Sequence, residues 1–297
     1  MTFKLVWIVA GVLGLGIATV VSIGWYASEQ VIHPPHDPPL DPSEFGLLLE
    51  SVGFLSSDGL RLAGWFLRGT NGATVILAHG RGSDHTHMLP HAKYLYEAGF
   101  SVLLFDFRHR GKSEGSAQTL GAKEKWDVEG AMDYLATRTD VDQEQIGVQG
   151  NSMGAVAAIL AAAESPQIRA VVAEIPFPSI RGILDHTFEK ETGLPAYPFA
   201  PVTKLICEFR VGADFDEVAP VSVVGRISPR PIFLIDDLED DLFPPNSVES
   251  VYQAAREPKN IWRIPTCPHG QGHQCAPAEY EQRVVAFWRK SFRISER

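Results

Sequence analysis

Hydrophobic and polar positions along this chain fall into two regimes. From Leu5 to Ala27 the run LVWIVAGVLGLGIATVVSIGWYA carries no charge, whereas past Gly46 short apolar runs alternate with segments of helical period. The first regime predicts one helix, because about 1.5 Å per residue lets a run of this length cross a hydrocarbon core of about 30 Å. A cleaved signal peptide is the rival reading, but its apolar region is shorter and ends in small residues. This run ends in Trp25-Tyr26, an aromatic pair that suits a membrane interface. Lys4 precedes the span and Glu29, His33, His36 and Asp37 follow it. The positive-inside bias then puts the bulk of the chain on the extracytoplasmic side. Prolines 34, 35, 38, 39 and 42 lock φ and remove donors, so an anchor over 1–27 is expected to lead into a semi-rigid spacer over 28–45.

In the second regime, residues 46–297, the apolar runs predict strands at Val52–Leu55, Leu62–Leu67, Thr74–Ala78, Ser101–Phe105, Ile146–Gln149, Ala170–Ala173, Ile232–Ile235 and Ile261–Ile264. Helical patterns lie between the later ones, at Leu89–Ala98, Glu124–Thr137, Ala155–Ala163, Val248–Ala255 and Pro277–Phe292. This order predicts an α/β domain with a mostly parallel eight-stranded sheet, helices on both faces and an antiparallel hairpin at its start. The stretch 175–230 breaks the rhythm with more proline and aromatic residues. Long insertions between core strands are usually functional or lids, so a small helical cap is expected there, with helices near Ser179–Lys190, Val202–Phe209 and Val221–Ile227.

Composition narrows the function classes. The chain has 297 residues, 45% of them apolar, and a net charge of -10. It is long enough for one large core, and it lacks the Lys and Arg clusters that a nucleic-acid binder needs. Three cysteines, Cys207, Cys267 and Cys275, allow at most one disulfide and do not form the doubled spacing of a structural zinc site. Cys267 and Cys275 flank His269 and His273. A metal site there is therefore one reading, but a triad gives His269 a better use, and no metal or cofactor is expected.

Two segments match G-x-S-x-G. Gly111–Gly115, around Ser113, follows a polar stretch and leads into neither strand nor helix, which reads as a surface loop. Gly150–Gly154, around Ser152, follows the strand IGVQ and opens the helix AVAAILAAA, the strand–turn–helix context of a nucleophile elbow. Glycines 150 and 154 remove side chains that would collide at such a turn, and the helix N-terminus favours developing negative charge.

A serine of ordinary acidity needs a base, and the base needs an orienting acid. In an elbow fold both follow the serine in chain order, acid first. After the strand IFLI the acidic loop offers Asp240, five residues past Ile235, with Asp241 and Asp237 as alternatives. After the last strand, His269 lies nearer the strand end than His273 and has small neighbours. The oxyanion donors expected are the backbone N–H groups of Met153 and of Arg81, in the loop His79-Gly80-Arg81-Gly82. His79 reads as a brace for that loop.

The segments SSDGLRLAGWF, ATVILAHGRG, YLYEAGFSVLLFDFRHRGKSEG, VDQEQIGVQGNSMG, PRPIFLIDDLEDDLFPP and PAEYEQRVVAFW resemble the bacterial α/β-hydrolase group that includes dienelactone hydrolase, acylaminoacyl-peptidase and Bem46-like proteins. The likeness covers nearly all of 52–292 apart from the cap. It implies an α/β-hydrolase fold and a serine hydrolase. The family's G-x-x-D-x-x-x-P pattern falls on Asp240, and its histidine, eight residues before a Pro-x-x-Tyr helix start, falls on His269. The chain departs from the family at Asp236-Asp237, where His-Gly is usual, at Asn151, where an aromatic or Leu is common, and at Ala155, where a second Gly is common.

The expected function is hydrolysis of a carboxylic ester or thioester from a small-molecule acyl substrate, through an acyl-enzyme on Ser152. A serine peptidase of the same fold and a non-catalytic, membrane-tethered binding module are the alternatives. Acyl-chain length and oligomeric state are not encoded in any spacing.

Overall fold

The structure, a computed structural model, describes residues 2–295. Helix α1 (Thr2–Ile32) extends past the charge-free run. Its side chains are exposed from Phe3 to Thr19, and partial burial begins at Val20. This corrects the expected spacer over 28–45. Residues 28–32 are helical, with Ser28 at 0% and Ile32 at 2% exposure, because an apolar surface lies alongside for the helix to continue on. The proline-rich part is extended but docked. Gln118 N–H donates to Ile32 O (2.9 Å), Arg110 Nη2 to Pro34 O (2.8 Å) and Asp37 N–H to Gly82 O (3.0 Å).

The sheet starts with the antiparallel pair β1 (Glu50–Leu55) and β2 (Arg61–Leu67). It continues through β3 (Thr74–Ala78), helix α2 (Leu89–Glu97), β4 (Ser101–Phe105), helix α3 (Glu124–Thr137), β5 (Ile146–Asn151), helix α4 (Met153–Glu164) and β6 (Val171–Glu174). The cap follows as α5 (Ile180–Thr192), α6 (Ala196–Val211) and the short α7 (Pro220–Val223). The chain then returns through β7 (Ile232–Asp237), α8 (Ser247–Ala254), β8 (Lys259–Ile264), the single turn α9 (Gly272–Cys275) and α10 (Pro277–Phe292). Strand order is β1-β2-β4-β3-β5-β6-β7-β8, antiparallel at β1, β2 and β4 and parallel from β4 onward.

Every expected strand forms, with ends moved by a few residues. The central strands are buried on both sides, which is why their sequences read as continuous apolar runs. Alternation still sorts them by face. Val75 and Leu77 of β3 join Leu89 of α2 and Tyr280 and Trp288 of α10 in one core, while Ile76 and Ala78 join α3 and α4 in the other. A side chain at Gly147 of β5 would collide with the Trp288 ring, so the glycine sets how closely α10 approaches the sheet.

In the cap, Ser179 accepts from Gly182 N–H to start α5, and Gly212, at φ 59°, closes α6 in the left-handed region. Cap helix α6 lies along the C-terminal part of α1. Val202, Thr203 and Ile206 approach Gly24, and Arg210 Nη1 donates to Ser28 Oγ (2.9 Å). Position 24 has no side chain, which lets the two helices come together there.

Candidate active site

Ser152 sits between β5 and α4 at φ 53°, a region costing a non-glycine residue about 1–3 kcal/mol. The surroundings hold it there. A Cβ on Gly150 would strike the backbone of Gly154, and one on Gly154 would strike the carbonyl of Ala78. Ser152 N–H donates to Glu174 O at the end of β6 (2.9 Å). Met153 is the first residue of α4, so its N–H has no acceptor within the helix. Gly80, at the start of the loop after β3, faces Ser152, and a Cβ there would lie 3.7 Å from Ser152 Cβ.

The structure brings Ser152, His269 and Asp240 together. His269 Nε2 lies 3.1 Å from Ser152 Oγ, and its Nδ1 lies 2.9 Å from Asp240 Oδ2, somewhat off the line of an ideal hydrogen bond. The other Asp240 oxygen accepts from Leu242 N–H (2.8 Å) and Phe243 N–H (3.3 Å), which fixes the carboxylate. Phe243 stands edge-on to the imidazole with ring centroids 4.8 Å apart.

The loop that carries His269 is tied at several points. Asn151 Nδ2 donates to Gly270 O (3.3 Å), Gly272 N–H donates to Glu174 Oε1 (2.9 Å), and Cys267 is disulfide-bonded to Cys275. That bridge takes both sulfurs out of the metal reading of this loop. Asn151, one of the departures from the family pattern, thus clamps the histidine loop from the elbow itself. Among the described residues, the donor groups close enough to share a metal ion are Asp84–His85–Asp106 and Glu208–Asp214–Asp216, neither of which includes Ser152, Asp240 or His269.

The competing candidates are used elsewhere. Asp241 is exposed and pairs with Lys190 of α5 (2.6 Å), and His273 Nε2 pairs with Glu281 (3.0 Å). Ser113 Oγ donates to Asp106 O (2.6 Å) and accepts from Ala63 N–H (2.9 Å), holding a loop against β2. His79 is fully buried. Its Nδ1 donates to Gly80 O (2.7 Å) and its Nε2 accepts from Phe107 N–H (3.0 Å), which braces the loop after β3 as a neutral ring. Burial pulls its pKa down to about 4. The Arg81 side chain donates to the carbonyls of Gln30 (3.1 Å) and Val31 (3.4 Å) on α1.

Asp237 sits under the histidine loop beside Glu174, and neither carboxylate of this pair has a basic partner in hydrogen-bond range. Glu174 accepts from Tyr280 Oη (2.6 Å), while the Asp237 oxygens find no donor at good geometry. Burial, and for Asp237 also the neighbouring Glu174, raises both pKa values.

A cavity of about 400 Å³ opens on Ser152 and His269. Phe177, Ile180, Ile183, Leu242 and Phe243 give it an apolar wall, and the end of α1 and the docked segment supply Val31, Asp37 and Leu40. His91 also lines it, buried to 8% exposure, with both ring nitrogens unpartnered and burial pulling its pKa down to about 3. Nothing in the spacing along the chain points to His91, to the pairing of Glu174 with Asp237 or to the contribution of α1. Glu174 did carry one signal, a carboxylate ending a strand whose other residues are apolar.

Residues 69–191 match the family described as serine aminopeptidase, S33. The uncharacterized protein YfhR of Escherichia coli O157:H7 is 30% identical over 228 residues, covering 74% of this chain and 73% of that one. The α/β hydrolase domain-containing protein WAV2 of Arabidopsis thaliana is 26% identical over 264 residues, 84% of this chain and 82% of that one. Among solved structures, the Pyrococcus furiosus esterase Pf2001 superposes with a TM-score of 0.71 at 26% identity, over 86% of this chain and 98% of its own.

Proposed function

This chain belongs to the bacterial α/β-hydrolase family and is a hydrolase of that fold, and we propose that it is a membrane-anchored serine esterase acting through an acyl-enzyme on Ser152. The observation that carries this reading is the 3.1 Å approach of His269 Nε2 to Ser152 Oγ. As Ser152 Oγ attacks the substrate carbonyl, His269 takes its proton, and the N–H groups of Met153 and Arg81 receive the oxyanion. Collapse of the tetrahedral intermediate expels the alcohol or thiol, which takes the proton back from His269. Water then attacks the acyl-serine by the same route. Asp240 holds the imidazole in the tautomer that leaves Nε2 free to accept.

The apolar helix Phe3–Ile32 is long enough to cross a membrane. The Cys267–Cys275 bridge supports an extracytoplasmic catalytic domain, where disulfides persist.

A second reading, an aminopeptidase, is favoured by the description of the family matched over 69–191. Turnover of p-nitrophenyl butyrate set against amino-acid p-nitroanilides separates the two. The esterase reading expects the ester to be cleaved and the anilides to be inert. Cleavage of the anilides alone contradicts it.

A further inference from the structure

The lower end of the cap lies level with the apolar part of α1. Phe199 and Ala200 pack with Ile23 and Ala27, inside the charge-free run, whereas Arg210 at the far end of α6 meets Ser28 and Glu29 beyond it. The exposed residues of α1 run from Phe3 to Thr19, about 26 Å of helix at ~1.5 Å per residue, close to one hydrocarbon thickness. The cap tip therefore meets α1 where the helix leaves the bilayer.

Tyr197 stands exposed at the turn that opens α6, and after it Pro201, Leu205 and Phe209 recur at every fourth position on the outer side of the helix. Three of them are large apolar or aromatic side chains at 81%, 63% and 85% exposure, for Tyr197, Leu205 and Phe209 respectively. The opposite side, Ala200, Thr203 and Cys207, is buried.

A second cavity, of about 390 Å³, lies at the same level, with Tyr26 and Ala27 of α1 on one side and Phe188 and Thr192 of α5 on the other. It shares Val31, Arg81, Leu184, Thr187 and Glu191 with the cavity at Ser152. The divider is thus a few side chains and the Arg81–Glu191 ion pair (3.7 Å). Arg81 is committed to that carboxylate and to α1 carbonyls, and the other charges on the two walls include Asp37. Such a lining suits an uncharged head rather than an anionic one.

We propose that the α6 stripe seats the cap in the lipid surface and that an uncharged, single-chain acyl ester dissolved in the bilayer reaches Ser152 through the cavity between α1 and α5. This deepens the esterase reading and rests on it. Amphipathic surfaces beside a membrane helix sink their apolar side into the headgroup boundary, and the bilayer then serves as the reservoir from which the ester is drawn.

The test uses the full chain in phosphatidylcholine vesicles, with p-nitrophenyl palmitate dissolved in the vesicles and p-nitrophenyl acetate in the water phase. Tyr197→Asp combined with Leu205→Asp should lower palmitate turnover about tenfold and leave acetate turnover within about twofold. A nitroxide on Tyr197→Cys should be more accessible to oxygen than to a water-soluble nickel complex. Palmitate turnover unchanged in the double variant, acetate cleaved while palmitate is not, or a nitroxide exposed to nickel would each overturn the lipid route and leave the esterase reading intact. Failure to cleave either ester would remove both.

Discussion

At the residue scale, the strain at Ser152 and the brace at His79 belong to one device. The elbow aims the hydroxyl, and the neutral His79 ring spans Gly80 O and Phe107 N–H so that the oxyanion loop stays beside it. His79→Ala removes two buried hydrogen bonds and should cost about 2–4 kcal/mol of stability. It should also lower kcat more than it raises KM, which steady-state kinetics on a short ester will read.

The buried pair beneath the loop makes a different forecast. Burial, with Glu174 alongside, pushes the Asp237 pKa up to about 8 from its ordinary value of 3.8. The native state therefore holds a proton that the unfolded chain releases near its ordinary value. The stability linked to it is fully present below that value and is lost as pH rises through about 8. In Asp237→Asn the slope of melting temperature against pH should flatten between about pH 5 and 9. A slope unchanged from the wild type would mean the carboxyl is ionised throughout. Apart from the carboxylate that ends β6, no feature of the local sequence foretells this pair, because the contacts that bury it join residues far apart, such as Gly272 N–H and Glu174. Ser152 was readable because its context, strand then turn then helix, is local.

At the scale of elements, the loop between β8 and α10 depends on its ties to hold His269 near Ser152. The disulfide closes a loop of a few residues around the histidine, and Asn151 fastens the same loop from the elbow. Replacing Cys267 and Cys275 together with serine should lower kcat several-fold and the melting temperature by a few degrees. Asn151→Ala should lower kcat alone. Stopped turnover with an unchanged melting temperature would separate positioning from folding.

The core strands could be read from sequence because both their faces are buried. The cap helices were found but with shifted ends, since α6 turns at Tyr197, where its N-terminal end departs from the helical period. For α1 the sequence misled: an apolar run suited to lipid is equally suited to packing on a cap, and a proline-rich stretch has the composition of a linker even when hydrogen bonds dock it.

For the whole molecule, α1 is at once the candidate membrane anchor and part of the wall of the cavity at Ser152. Truncation before Val20 removes the exposed run Phe3–Thr19 and should leave a folded, active domain. Ile32→Ala removes a side chain buried to 2% exposure and should cost about 2–4 kcal/mol. If truncation before His33 left the melting temperature unchanged, α1 would be an anchor alone.

The acyl-enzyme account is tested most directly by labelling the full chain with a fluorophosphonate and mapping the adduct by peptide mass. It predicts one adduct per chain on Ser152, lost in Ser152→Ala and slowed by orders of magnitude in His269→Ala. Full labelling of Ser152→Ala, or an adduct on any other residue, would contradict it.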